Sequence, residues 1–243
     1  MTTIVSAFIS DINSREDRNI NIYYSLGKLL LKSTTPKIIF LDEPMYNLIQ
    51  SNDYNKENTL IIKYNKTESY LYNYIDKLNN FKLNTDNPSK DTLEYMFTMC
   101  NKTEWIRKAI ENDIFNSNNF IWIDFGIKQV CNWSEDVFVE KLNNLYYKQY
   151  EKVRIGHIWD LLSCYNIDLF RQISWYFAGG IFGGNKASLI NFADLMKEKC
   201  IQIMNETSTI MWEVNIWYIL YLENHDLFEP YHCNHSNSII DNY

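Results

Sequence analysis

No stretch of the chain approaches the ~18–20 consecutive apolar residues of a membrane-spanning helix. The N-terminus runs straight into Thr3-Ile4-Val5-Ser6-Ala7-Phe8, without the basic and apolar regions of a signal peptide. A soluble, cytoplasmic protein is the expectation. Positive charge is also scarce: 23 Lys and Arg stand against 30 Asp and Glu, a formal net charge of -7. The lysines are scattered among acids and asparagines, so the clustered cations that hold a phosphate backbone are missing, which argues against a nucleic-acid binder. The five cysteines (Cys100, Cys131, Cys164, Cys200 and Cys233) are odd in number and widely spaced. Without a CxxC pair or a dense framework, they fit neither zinc binding nor a secreted disulfide scaffold, but a reducing compartment. There is no internal repeat and no strong linker, which leaves one domain over 1–243 as the expected organisation.

What is present is a large apolar fraction, 46% with 16% aromatic, enough for a sizeable core. The first half alternates strand and helix signals. Residues 3–9 read as a buried strand and 10–18 as a polar loop; 20–31 carry helical apolar spacing at Ile20, Tyr23, Tyr24, Gly27, Leu30 and Leu31. Pro36 introduces a second strand at 37–41, followed by a short helix at 45–50 and a third strand at 59–64. Strands separated by helix-length segments point to βαβ units and a largely parallel sheet, an α/β fold.

Residues 79–90, polar and carrying Pro88, form the best loop candidate. Asp91 and Glu94 pattern as a capping box, opening a helix that runs through Trp105, Ile106, Ala109 and Ile110. Phe120-Ile121-Trp122-Ile123 reads as a strand ending in Asp124, and Ser134 caps a helix over 137–150. Helices over 187–205 and 212–222 and a polar tail rich in His and Asn complete the pattern.

Several residues could carry chemistry. A carboxylate at Asp124 would project where open α/β sheets bind ligands, and a divalent cation could bridge it to a diphosphate; a plain strand-end turn is the alternative. Gly179, Gly180, Gly183 and Gly184 are four of only seven glycines, so the segment demands either a tight turn or the close approach of a ligand. It is not GxGxxG, and no later ribose-binding acid accompanies it, which argues against a dinucleotide fold. Glu213 stands among aromatics at a helix start, placed either for general-base or nucleophile work or simply as a first-turn acid. Arg15, Arg18 and Lys102 could meet a diphosphate or sit in water. His232 and His235 lie in a polar tail, where imidazoles either ligate a manganese-like ion or stay solvated.

Taken together, these pieces resemble the HtrL/YibB (WlaTC/HtrL) family, a group read as glycosyltransferases. The resemblance runs over nearly the whole chain. It is carried by Thr3-Ile4-Val5-Ser6-Ala7-Phe8, Trp122-Ile123-Asp124-Phe125-Gly126, Ala178-Gly179-Gly180-Ile181-Phe182-Gly183-Gly184, Trp212-Glu213-Val214-Asn215-Ile216-Trp217 and the segment 235–243. A weaker, local likeness is to the blood-group transferases, whose Gly-Gly-x-Phe-Gly-Gly stretch precedes a catalytic Glu.

The resemblance implies a GT-A (Rossmann-like) fold, with a mixed, mainly parallel sheet flanked by helices. It also implies a nucleoside-diphosphate-sugar donor (a UDP-sugar first), a glycan or other hydroxyl acceptor, and a Mn²⁺ or Mg²⁺ ion. Carried over by position, Asp124 matches the first acid of the Asp-x-Asp metal motif, and His235 a further metal or diphosphate ligand. Ser6, Ala7 and Phe8 would lie against the nucleoside. Arg15 and Lys102 would face the donor, with Trp122 and Trp212 beside it and Gly179-Gly180 admitting its sugar. Glu213 would be the catalytic carboxylate, and the blood-group likeness points toward retention rather than inversion. One departure stands out: Gly126 occupies the place of the second acid. A catalytically degenerate nucleotide-sugar or glycan-binding protein of the same fold is therefore the main alternative. A phosphotransferase with Asp124 as nucleophile lacks a P-loop or a partner motif.

Overall fold

Short apolar runs buried on both faces are what a central, largely parallel sheet requires of its strands. The computed structural model describes residues 1–12, 15, 18–78, 85–163 and 165–243; Cys164 and part of the expected 79–90 loop fall outside them. The first half consists of β1 (Thr2–Phe8), α1 (Ile20–Lys32), β2 (Lys37–Leu41), α2 (Glu43–Leu48), β3 (Thr59–Lys63), α3 (Leu93–Cys100), α4 (Lys102–Glu111) and β4 (Asn119–Ile123). It continues with α5 (Glu135–Asn144), β5 (Val153–His157), β6 (Phe177–Asn185), α6 (Lys186–Thr207), α7 (Glu213–Glu223), β7 (Phe228–His232) and α8 (Ser238–Asp241).

The strands form one seven-stranded sheet in the order β3-β2-β1-β4-β6-β5-β7. Pairs β2–β3, β1–β2, β1–β4 and β5–β7 are parallel, while β6 runs antiparallel to β4 and β5. The α/β class and the mixed, mainly parallel sheet flanked by helices are thus as expected. Alternation along β4 shows how both faces are filled. Phe120 and Trp122 join Val5, Phe40 and Phe182 under α4, α6 and α7, and Ile121 and Ile123 join Ile4, Leu41 and Ile181 under α1, α5 and α8.

The second half departs from the sequence pattern. β6 is a nine-residue strand rather than a turn, and none of its glycines has a positive φ. Space is what those glycines supply: a Cβ on Gly183 would stand 2.5 Å from the Phe120 carbonyl oxygen. β7 emerges from what reads as a polar tail, and its Pro230 is tolerated because β7 is an edge strand.

The helix expected to open at Asp91 is two helices, broken at Asn101, and its cap is the Thr92 hydroxyl, which accepts from the Tyr95 amide at 3.0 Å. Asp91 is instead a tertiary acceptor for the Trp212 indole N–H at 3.2 Å and the Thr85 hydroxyl at 2.5 Å. The expected helix over 137–150 ends earlier, at Asn144, in a short 3₁₀ turn. Among the described residues, no helix is long and apolar enough to cross a membrane.

Candidate active site

Strand order reverses between β1 and β4, because β1 is followed by β2 on one side and β4 enters on the other. Such a crevice at strand carboxyl ends is where open α/β sheets take ligands. A cavity of about 660 Å³ lies there. Its walls include Ala7 and Phe8 at the end of β1, Asp124 after β4, Gly179 and Gly180 in β6, and Trp212 and Glu213 at the start of α7. Arg15, Arg18, Lys102, Trp122 and His235 also line it. Ser6 does not. It is fully buried in β1, two residues short of the strand end, and its hydroxyl has no partner among the described residues.

At the centre stands Lys102, the first residue of α4. Its side chain is 2% exposed, yet its ammonium is 3.0 Å from Asp124 Oδ1, 3.0 Å from Glu213 Oε1 and 2.9 Å from the Gly179 carbonyl oxygen. Burial alone would lower its pKa, but the two carboxylates outweigh it and hold the ammonium above its ordinary value. Lys102 is therefore a fixed positive charge.

Each partner is locally positioned. The Asp124 amide donates to the Gly180 carbonyl at 2.9 Å, extending the β4–β6 ladder past the strand end. The Trp122 indole N–H donates to Asp124 Oδ1 at 2.8 Å, and that indole is stacked on Trp105 at 5.7 Å. Glu213, buried at the first turn of α7, presses so closely on β6 that a Cβ at Gly179 would lie 2.7 Å from its Oε1. The glycine-rich strand thus admits the protein's own carboxylate.

At Gly126, where the resemblance puts a second acid, a Cβ would stand 2.8 Å from the Tyr23 ring, itself 4.8 Å from Phe8. Among the described residues, no group of three or more His, Cys, Asp or Glu side chains could hold a metal ion. The carboxylates that line the cavity are Asp11, Asp124 and Glu213, with His235 as its imidazole. Desolvation, then the charge of Lys90, lowers the His235 pKa and leaves the ring neutral and able to ligate. These residues do not make a resident metal cage among the described residues. Asp124 offers an oxygen ligand of the kind a magnesium-type ion takes alongside phosphate oxygens.

Some cavity residues carry no motif. Tyr95 lines it from α3, and burial, then the charges of Glu213, Asp124 and Asp91, push its phenol well above the usual range, so it stays a donor. Trp175 lines it from the segment before β6 and meets His235 at right angles, 4.3 Å between centroids. The aromatic run Trp175-Tyr176-Phe177 just ahead of the glycines was the available signal for that residue. Tyr95 had none beyond its helical neighbours.

The chain is similar in fold to the 4-diphosphocytidyl-2C-methyl-D-erythritol synthase of Anaerococcus prevotii DSM 20548, at 10% identity and TM-score 0.45, covering 98% of this chain and 88% of that one. A glycosyltransferase involved in glycosylation of the major capsid of PBCV-1 matches at 12% identity and TM-score 0.45, covering 95% and 81%. Mouse xyloside xylosyltransferase 1 in its apo form matches at 9% identity and TM-score 0.46, covering 96% and 86%. No curated protein matches in sequence. The family model for HtrL_YibB, described as a bacterial protein of unknown function, matches residues 1–237, and the chain belongs to that family.

Proposed function

We propose that the chain is a glycosyltransferase of the GT-A type, one domain over 1–243. It transfers a sugar from a nucleoside-diphosphate donor, UDP-sugars first, to a hydroxyl of a glycan or similar acceptor. One observation carries the reading: a buried ammonium joins two carboxylates in one cavity, Asp124 at the carboxyl end of β4 and Glu213 at the start of α7.

Sugar transfer develops positive charge on the sugar and negative charge on the departing diphosphate. Glu213, kept in place by Lys102, stabilises or attacks the anomeric carbon in a retaining reaction, the outcome toward which the blood-group likeness points. In an inverting one it takes the acceptor proton. Arg15 and Arg18, on the cavity wall, receive the diphosphate with charge-assisted hydrogen bonds. Ala7 and Phe8 give the nucleoside an apolar floor. A divalent cation, held by Asp124 and His235, would when bound neutralise charge on the leaving diphosphate.

The test is a thermal-shift screen of nucleotide sugars with and without Mn²⁺, followed by assay of nucleotide release. A donor at about 100 times its Kd should raise the melting temperature by roughly 5–10 °C, and Asp124→Asn should shrink that shift. A donor that binds without release of nucleotide would indicate a binding protein of the same fold. Absence of any shift across the panel would sink the proposal.

A further inference from the structure

The cavity extends along the sheet from β1 through β4 to β6, and two strand spacings, ~10 Å, separate its outer strands. At the β1 end lie the features proposed for the nucleotide. The β6 end has a different chemistry: Trp175 and Ile173, in the segment leading into β6, and Trp212, at the start of α7, supply apolar surface, while Lys90 and Tyr95 line the cavity from the segment before α3 and from α3 itself. Lys90 is 3.7 Å from Asp91 and sits over the Tyr95 ring at 5.0 Å. This end therefore offers aromatic faces, and the lysine that lines the cavity stands beside the Asp91 carboxylate.

Its wall is also unusually well fixed. Asn215 is fully buried on α7, two residues beyond Glu213. Its Oδ1 accepts from the Ser174 amide and hydroxyl, both at 2.7 Å. Its Nδ2 donates to the Leu169 carbonyl at 2.7 Å and the Gln172 carbonyl at 2.8 Å. One amide side chain thus ties the segment leading to Trp175 onto the helix that begins with Glu213. The Trp159 amide closes the other side by donating to the Trp175 carbonyl at 2.9 Å.

We infer that the β6 end of the cavity is a subsite for the pyranose ring of a neutral glycoside, the acceptor, with Trp175 as its stacking surface and Asn215 as a positioning residue. The apolar face of a pyranose covers an indole well, and an uncharged sugar needs no counter-ion. Asn215 sets the distance from that ring to Glu213, so an acceptor hydroxyl is presented to the same carboxylate that faces the donor. The inference rests on the transferase reading for the word acceptor, but not for the sugar site itself.

The test is ligand-observed saturation-transfer NMR and titration with a panel of neutral p-nitrophenyl glycosides, with UDP binding measured in parallel. Native protein should bind at least one glycoside. Trp175→Ala should weaken that glycoside more than ten-fold while changing UDP affinity less than three-fold, and Trp175→Phe should restore part of the loss. Equal weakening of UDP would place Trp175 in the nucleotide end and overturn the inference. So would unchanged glycoside binding in Trp175→Ala, or binding of no glycoside in the panel. Glycoside binding that depends on Trp175, in a protein that turns over no nucleotide sugar, would instead overturn the transferase reading and leave the sugar site standing.

Discussion

Two lysines are buried at opposite edges of the same sheet, and their surroundings differ in one respect. Lys37 opens β2 at the amino-terminal edge, fully buried, and its ammonium reaches only neutral oxygens: Ser33 O at 2.6 Å, and Asn58 Oδ1 and Thr59 Oγ1 at 3.4 Å. Desolvation pulls its pKa down to about 7. Lys102, at the carboxyl edge, is as deeply buried but stands between two carboxylates, and its pKa goes the other way. Burial alone therefore does not make a charge permanent; the partners do. At one edge the lysine ties neutral oxygens together, and at the other it holds two carboxylates within 3.0 Å of its ammonium.

The sharpest way to break this contrast is to delete both amines. Lys102→Met leaves Glu213 buried without its counter-charge, and a stability loss of roughly 3–5 kcal/mol is expected in urea unfolding, with nucleotide-sugar turnover lost as well. A loss under about 1 kcal/mol would mean the cluster is not held by its ammonium. Lys37→Met should have a smaller effect, and one that depends on pH.

Below pH 7 both folded and unfolded states carry the Lys37 proton, so stability has no slope from it. Between about 7 and the ordinary value of 10.5 the unfolded chain binds more protons, and native stability rises with pH. Measured by urea unfolding at pH 7 and pH 9, the native chain should gain roughly 2 kcal/mol on Lys37→Met. A constant gap would show that Lys37 keeps its charge in the fold.

Legibility in the sequence followed the same divide. β2 and β4 are buried along their whole length and β1 along most of it, so they read as continuous apolar runs, and the 37–41 strand and the start of α1 matched residue for residue. β6 hid behind four glycines whose reason lies elsewhere in the chain: Glu213 against Gly179, and the Ile127 side chain 2.7 Å from a Cβ at Gly180. β5 and β7 are five-residue strands interrupted by Gly156 and Pro230, too broken for an alternation signal.

At the site, Asp124 and Glu213 were visible as a strand-end acid and a helix-start acid among aromatics. The burial of Lys102 was not visible. A lysine in a first helical turn reads as solvated, and only the meeting of α4, β4, β6 and α7 encloses it. Asn215 stood in plain sight within its motif, but its four hydrogen bonds reach back 41 to 46 residues, beyond any local pattern.

Glu213→Gln tests the central claim most directly, because it keeps the shape of the side chain and removes the charge that Lys102 holds beside the cavity. Release of nucleotide from a donor that binds the native protein should fall at least ~100-fold, the usual scale for losing a catalytic carboxylate, while the donor still raises the melting temperature. Turnover within a few-fold of native would contradict the account.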